Sequence, residues 1–333
     1  MPRQAPIVVI TGATAGVGRA VTRRFARDGA RIGLIARGKV GLEATAREVR
    51  AMGGQALELP CDVADHEAVE QAAAEVERQF GPIDLWINAA FAGVLAGFMD
   101  TAPQDYRRVT DVTYHGQVNG TRAALRHMLP RDRGHVILVG SALAYRGIPL
   151  QSAYCGAKHA IQGFEDSLRA ELLHAKSRVH VTMVQLPGVN TPQFDWIKTS
   201  LPHKPKPASP PYQPEVMAQA IHYAAHHRRK QMLVGFPTVE AVVGDMIASP
   251  MLDRYLGRTG FAGQQDVEPI EPGRQDNLWA PVEEDRGAHG RFDAQARGWS
   301  AQLWATMHRG WIAGAGVALC GLAALAGRRL SHR

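Results

Sequence analysis

The sequence predicts an α/β protein built on a doubly wound parallel sheet of about seven strands. Short β-branched runs alternate with longer amphipathic stretches from residue 7 to about residue 190. The runs are largely apolar rather than alternating, as suits strands buried on both faces. The first run also leads straight into a glycine-rich turn and then a helical pattern. The predicted strands are "IVVI" (7–10), "RIGLIA" (31–36), "ALELP" (56–60), "DLWIN" (84–88), "HVILVG" (135–140), "HVTMVQL" (180–186) and "KQMLVGF" (230–236). Helical patterns fall between them at 17–28, 40–52, 66–79, 104–129 and 153–175. The segment 192–214 holds seven of the twenty prolines and cannot be regular throughout. It follows a strand end, where open α/β sheets bind ligands, so it reads as a substrate loop or lid.

Beyond this region the composition changes. Residues 263–298 carry eight acidic and four basic side chains with little apolar periodicity, which predicts a flexible linker over 261–300. Residues 310–327 hold no charge and are followed by "RRLSHR". Eighteen residues at 1.5 Å each span roughly 27 Å, the lower edge of what a bilayer core needs, so 301–333 reads as a helix and candidate membrane anchor.

The 333 residues carry a formal charge of +7, with the basic residues scattered in short clusters such as "HHRRK" (226–230). No basic and aromatic stripe and no zinc-finger spacing occurs, which argues against a nucleic-acid partner. The excess suits anionic cofactors or membrane surfaces instead. Cys61, Cys155 and Cys320 lie far apart, in no metal-ligand spacing, so the sequence predicts no metal site and a reducing compartment. The apolar run near the N-terminus is only four residues long (7–10), too short for a signal peptide.

In "TGATAGVG" (11–18), Gly12, Gly16 and Gly18 let the backbone turn tightly against a pyrophosphate, and the helix behind them offers its N-terminal N–H groups to the phosphate charge. The end of the second strand, "LIARGK", carries no acid to grip a ribose 2′-hydroxyl and supplies Arg37 and Lys39. Arg37 suits bidentate contact with a 2′-phosphate, which favours NADP (NADPH) over NAD. In "SAYCGAKHA" (152–160), Tyr154 and Lys158 stand four apart. On a helix that puts them about 5–6 Å apart at Cβ, where an ammonium lowers a phenol pKa toward useful acid–base work.

Taken together, "TGATAGVG", "CDV" (61–63), "INAA" (87–90), "VGSALAY" (139–145) and "YCGAK" (154–158) resemble, in order, the motifs of the short-chain dehydrogenase/reductase family, with Ser141 thirteen residues before Tyr154. The resemblance covers about residues 5–260 and implies one Rossmann-type catalytic domain over 1–260. It implies Tyr154 as acid/base, Ser141 as hydrogen-bond partner of the reacting oxygen, and Lys158 as holder of the nicotinamide ribose that lowers the tyrosine pKa. Gly12, Thr14, Gly16, Val17 and Gly18 would take the pyrophosphate. Asp62 and Val63 would flank the adenine, Asn88 would stand at the cofactor end of the fourth strand, and Pro187, Gly188 and Thr191 would face the nicotinamide. Three departures stand out: Ala89 and Phe91 where the family has Asn and Gly, Thr113 where its relay asparagine falls, and a "PGVNT" (187–191) one residue shorter than usual.

The expected activity is NAD(P)-dependent interconversion of a carbonyl and an alcohol. Phe91, Tyr145, Phe194, Trp196, Ile197 and Leu201 suggest a lipophilic small-molecule substrate. The resemblance also implies a homo-oligomer, and the tail a membrane-tethered protein with its catalytic domain in the cytoplasm. Two other readings stay open: a non-catalytic NADP-binding regulatory or scaffold protein, for which Ala89 and Thr113 leave room, and an epimerase or dehydratase on a related fold.

Overall fold

The computed structural model describes residues 5–208 and 210–311. The first half runs β1 (Ile7–Thr11), α1 (Gly16–Ala26), β2 (Arg31–Ala36), α2 (Lys39–Ala51), β3 (Gln55–Pro60), α3 (His66–Phe80), β4 (Leu85–Asn88), β5 (Val94–Leu95), α4 (Pro103–Thr110), α5 (Gly116–Met128) and β6 (His135–Val139). The second runs α6 (Ser152–His174), β7 (His180–Gln185), α7 (Gln193–Trp196), β8 (Lys198–Thr199), β9 (His203–Pro205), α8 (Pro214–His226), β10 (Gln231–Leu233), α9 (Phe236–Thr259), β11 (Gln265–Pro269) and α10 (Ala301–Met307).

Seven strands form one parallel sheet in the order β10, β7, β6, β4, β1, β2, β3. The chain winds outward from β1 through β2 to β3, then crosses to β4 and winds the other way. The crossing leaves a crevice at the carboxyl ends of β1 and β4, the place where such sheets bind ligands. All five residues of both β1 and β6 are buried, so these strands sit between two helical layers. Phe25 of α1 and Met217 and Ile221 of α8 close the core on one side, and Val69 and Val76 of α3 with Ala123 and Met128 of α5 close the other. Each large apolar side chain so buried contributes about 1.5–3 kcal/mol relative to exposure.

The helical pattern at 104–129 is not one helix. A π-helical turn over Asp111–His115 separates α4 from α5. Within it the Thr113 hydroxyl accepts from Ala92 N at 3.0 Å and donates to Ala92 O at 2.9 Å, stitching the wide turn to the loop after β4. Such turns recur at functional sites.

The stretch expected as a flexible linker is packed on the domain. Leu278, Ala288 and Phe292 are buried, and Asn190 holds it by accepting from Phe292 N (3.0 Å) and donating to Asp293 (2.8 Å). Isolated apolar anchors between polar residues have no periodicity, so the sequence hides them. Among the described residues no helix is long and apolar enough to cross a membrane. The predicted anchor at 310–327 lies, past Trp311, outside the described residues.

Candidate active site

The glycine-rich turn joins β1 to α1 at the crevice. Gly12 and Gly16 have φ of +67° and +54°, which a β-carbon disfavours. A β-carbon on Gly18 would lie 2.0 Å from the Gly12 carbonyl oxygen, so only glycine lets the first turn of α1 close on the strand. No side chain caps this helix at Ala15; the Gly287 carbonyl takes Gly16 N at 3.0 Å, and the positive dipole end favours further acceptors.

Across the crevice, β6 ends at Val139 and delivers Ser141, while the first turns of α6 present Tyr154 and Lys158. Lys158 is buried, with Nζ donating to Val139 O at 2.8 Å and standing 5.5 Å from the centre of the Tyr154 ring. Gln117 Nε2 donates to the same carbonyl at 2.9 Å. The backbone of Ser141 is fixed by donation to Gln185 Oε1 at 2.7 Å, and its Oγ accepts from Leu143 N at 3.1 Å. Burial pushes the Lys158 ammonium down to about 7 and the Tyr154 phenol well above its ordinary range, the latter against a hydrogen bond from Ser141 that pulls it back. Burial thus outweighs the mutual influence that the four-residue spacing suggests.

Between turn and trio lies a cavity of about 690 Å³ that both line. Thr14, Val17, Asp62, Val63, Pro187, Gly188 and Thr191 border it too, as does Arg37. The sequence model for "short chain dehydrogenase" matches residues 6–200. The chain belongs to the short-chain dehydrogenase/reductase family. It is 31% identical over 275 residues to a Bacillus subtilis protein named uncharacterized oxidoreductase YxnA, covering 82% of this chain and 77% of that one. Similarity to the Bos taurus dehydrogenase/reductase SDR family member 7B is 38% over 188 residues, 55% of this chain and only 57% of that protein's length. Among solved structures, a metagenomic short-chain oxidoreductase in complex with NADP superposes with a TM-score of 0.58 at 26% identity, over 69% of this chain and 96% of that one. A Streptomyces avermitilis short-chain dehydrogenase gives 0.65 at 23% identity over 79% and 99%, which shows the fold.

Three of the expected residues, Asn88 at the end of β4 among them, stand back from the cavity. Asn88 does not border the cavity; it is fully buried behind it, accepting from Trp86 Nε1 at 2.9 Å and donating to Thr121 at 3.1 Å. Tyr145 turns away to accept a hydrogen bond from Gln231, and Leu201 packs with Leu95, Leu150 and Ile197 rather than on the cavity. Arg37 is held by backbone carbonyls of Asn277, Leu278 and Trp279, and burial lowers its pKa. Asp62 likewise pairs with Arg108.

Phe91 does reach the cavity, its ring edge-on to Tyr154 at 5.8 Å, and Phe194, Trp196 and Ile197 of the proline-rich loop border it as expected. The sequence reading missed the outer wall, where Leu252, Tyr255 and Leu256 of α9 border the cavity. Arg146 also lines the cavity and ties α9 down through Asp245 (3.0 Å) and Asp253. The apolar spacing at 252, 255 and 256 was a usable helical signal, which Pro250 obscures.

Proposed function

We propose that this short-chain dehydrogenase is an NADP(H)-dependent oxidoreductase that interconverts a carbonyl and an alcohol on a lipophilic small molecule, with Tyr154 as acid/base. The observation that carries it is the convergence of Ser141, Tyr154 and Lys158 on the cavity that the glycine turn also lines. Gly12, Thr14, Gly16, Val17 and Gly18 would hold the pyrophosphate, Asp62 and Val63 the adenine, and Pro187, Gly188 and Thr191 the nicotinamide. The tight fit around Gly12 and Gly18 supports this, since side chains there would collide with the backbone of Ala90 and of Gly12 and force the turn open. Arg37 and Lys39 beside the β2 end, and the NADP complex of the similar metagenomic enzyme, support the 2′-phosphorylated form. Bound there, the nicotinamide supplies or accepts hydride.

The residues of the chain handle the proton and the charge. Ser141 Oγ accepts from Leu143 N, and the hydrogen it directs at the Tyr154 phenol can turn to a substrate oxygen where negative charge grows. Tyr154 gives that oxygen a proton in reduction and takes one in oxidation. Lys158, protonated, favours the phenolate so formed. The Thr113 hydroxyl both accepts from and donates to Ala92, so it is spent on structure and is not a link for protons. Substrate preference follows from Phe91, Phe194, Trp196, Ile197, Leu252 and Leu256 around the cavity. Arg146, the cation among them, is already paired with two aspartates, which favours an uncharged substrate.

The test is NADPH and NADH oxidation against aliphatic, aromatic and steroid-like ketones and aldehydes. Turnover with NADPH should fall about 10²–10⁴-fold in Tyr154→Phe while cofactor binding persists. NADPH binding without turnover on any carbonyl would instead favour a protein that uses the fold for binding alone.

A further inference from the structure

The segment Asn277–Gly287 lies beyond the 6–200 family match, yet it runs along the adenosine end of the cleft. Its carbonyls at Asn277, Leu278 and Trp279 take the Arg37 guanidinium, the last two at 3.2 Å. Its Glu283 Oε2 accepts from Val40 N, in the first turn of α2, at 3.2 Å. Asp285 pairs with the buried Arg19 at 3.2 Å, and the Gly287 carbonyl accepts from Gly16 N at 3.0 Å. The strap is fastened by fully buried Leu278 and by Trp279, whose indole donates to Asp105 at 2.7 Å beside Arg108. Arginines and first-turn N–H groups are what phosphate oxygens seek, and here the strap's oxygens hold them.

We propose that this strap, through Glu283 and the carbonyls of 277–279, is the determinant of selectivity at the 2′ position of the dinucleotide. The inference rests on the NADP reading above. Beside the exposed Lys39, Arg37 and the first turn of α2 are donors available to a 2′-phosphate next to the β2 end, and the strap engages both of these. A carboxylate there repels a phosphate but accepts a hydrogen bond from a 2′-hydroxyl. NAD(H) therefore binds beneath the closed strap, whereas NADP(H) binds when the strap releases Arg37 and carries Glu283 away.

The experiment measures NADPH and NADH affinities of the full chain by calorimetry for the wild type, Glu283→Gln and Trp279→Ala. Tryptic cleavage at Arg286 is followed in parallel. Exposed Glu283 can be neutralised without disturbing the core. Glu283→Gln should tighten NADPH about tenfold and leave NADH within about twofold, since one charge near a partly exposed site is removed. Trp279→Ala should tighten NADPH similarly and, by loosening the strap around the already exposed Arg286, speed cleavage there without any cofactor, and NADPH but not NADH should speed that cleavage in the wild type. Equal change for both cofactors, no change for either, or a strap equally protected with NADPH and NADH bound would overturn the proposal. Absence of binding of both dinucleotides in every form would sink the cofactor site itself.

Discussion

Lys158 is buried as a cation on a neutral carbonyl, and that arrangement works against stability. Its folded pKa of about 7 lies below an unfolded value of about 10.4. Between those values the unfolded chain binds more protons, so this group makes stability rise with pH from about 7 to 10.4, and its full penalty applies below 7. Lys158→Met should therefore raise Tm, by more at pH 6 than at pH 9, while abolishing turnover. Val139 O keeps its bond from Gln117 in the variant, which limits the loss on the other side. A Tm that falls at both pH values would show that the ammonium supports the fold, contrary to this account. The sequence motif identifies Tyr154, Ser141 and Lys158 as partners because one helical turn and one strand end suffice to specify them. It does not foresee that the Tyr154 phenol shifts upward instead of down, because burial is a property of the assembled core.

Among elements, the break between α4 and α5 shows how one hydroxyl redirects a helix. Valine in place of Thr113 keeps the shape but strips two buried hydrogen bonds from the backbone of Ala92. At about 1–3 kcal/mol for each of two buried groups left unpaired, Thr113→Val should lower the denaturation midpoint by the equivalent of about 2–6 kcal/mol with m unchanged. If the hydroxyl instead relayed protons, turnover would drop while stability held. Strands β1, β2, β3, β4, β6, β7 and β10 were all legible within a few residues because each is a short apolar run with a helix after it. The wide turn was not, since helical periodicity at 104–129 continues on both sides of it and the partner, Ala92, is twenty-one residues away. Helix α9 escaped for a related reason. Its chain kinks at Ala248 before Pro250, and Met246, Ile247 and Met251 stay exposed, which defeats an amphipathic pattern.

At the scale of the whole molecule, the question is whether residues 261–300 are cargo or part of the domain. Their acidic, proline-containing composition is that of a linker, yet what fixes them is a set of long-range contacts that no local pattern encodes: Arg37 and Arg108 on backbone carbonyls, Asn190 on Phe292, and Leu278 in the core with Val63 and Val109. Fully buried Leu278 makes this testable. A leucine-to-alanine change in a core costs about 2–5 kcal/mol, from lost burial and the cavity left behind, whereas one in a linker costs almost nothing. Leu278→Ala should thus shift the unfolding of the full chain by that amount, in one transition that circular dichroism and tryptophan fluorescence report alike. An unchanged main transition, with an early fluorescence change alone, would mean that the segment rests on a domain that is complete without it. The single shifted transition would mean that the fold and the covering of its cleft are one cooperative unit, so that opening the strap draws on the stability of the sheet beneath it.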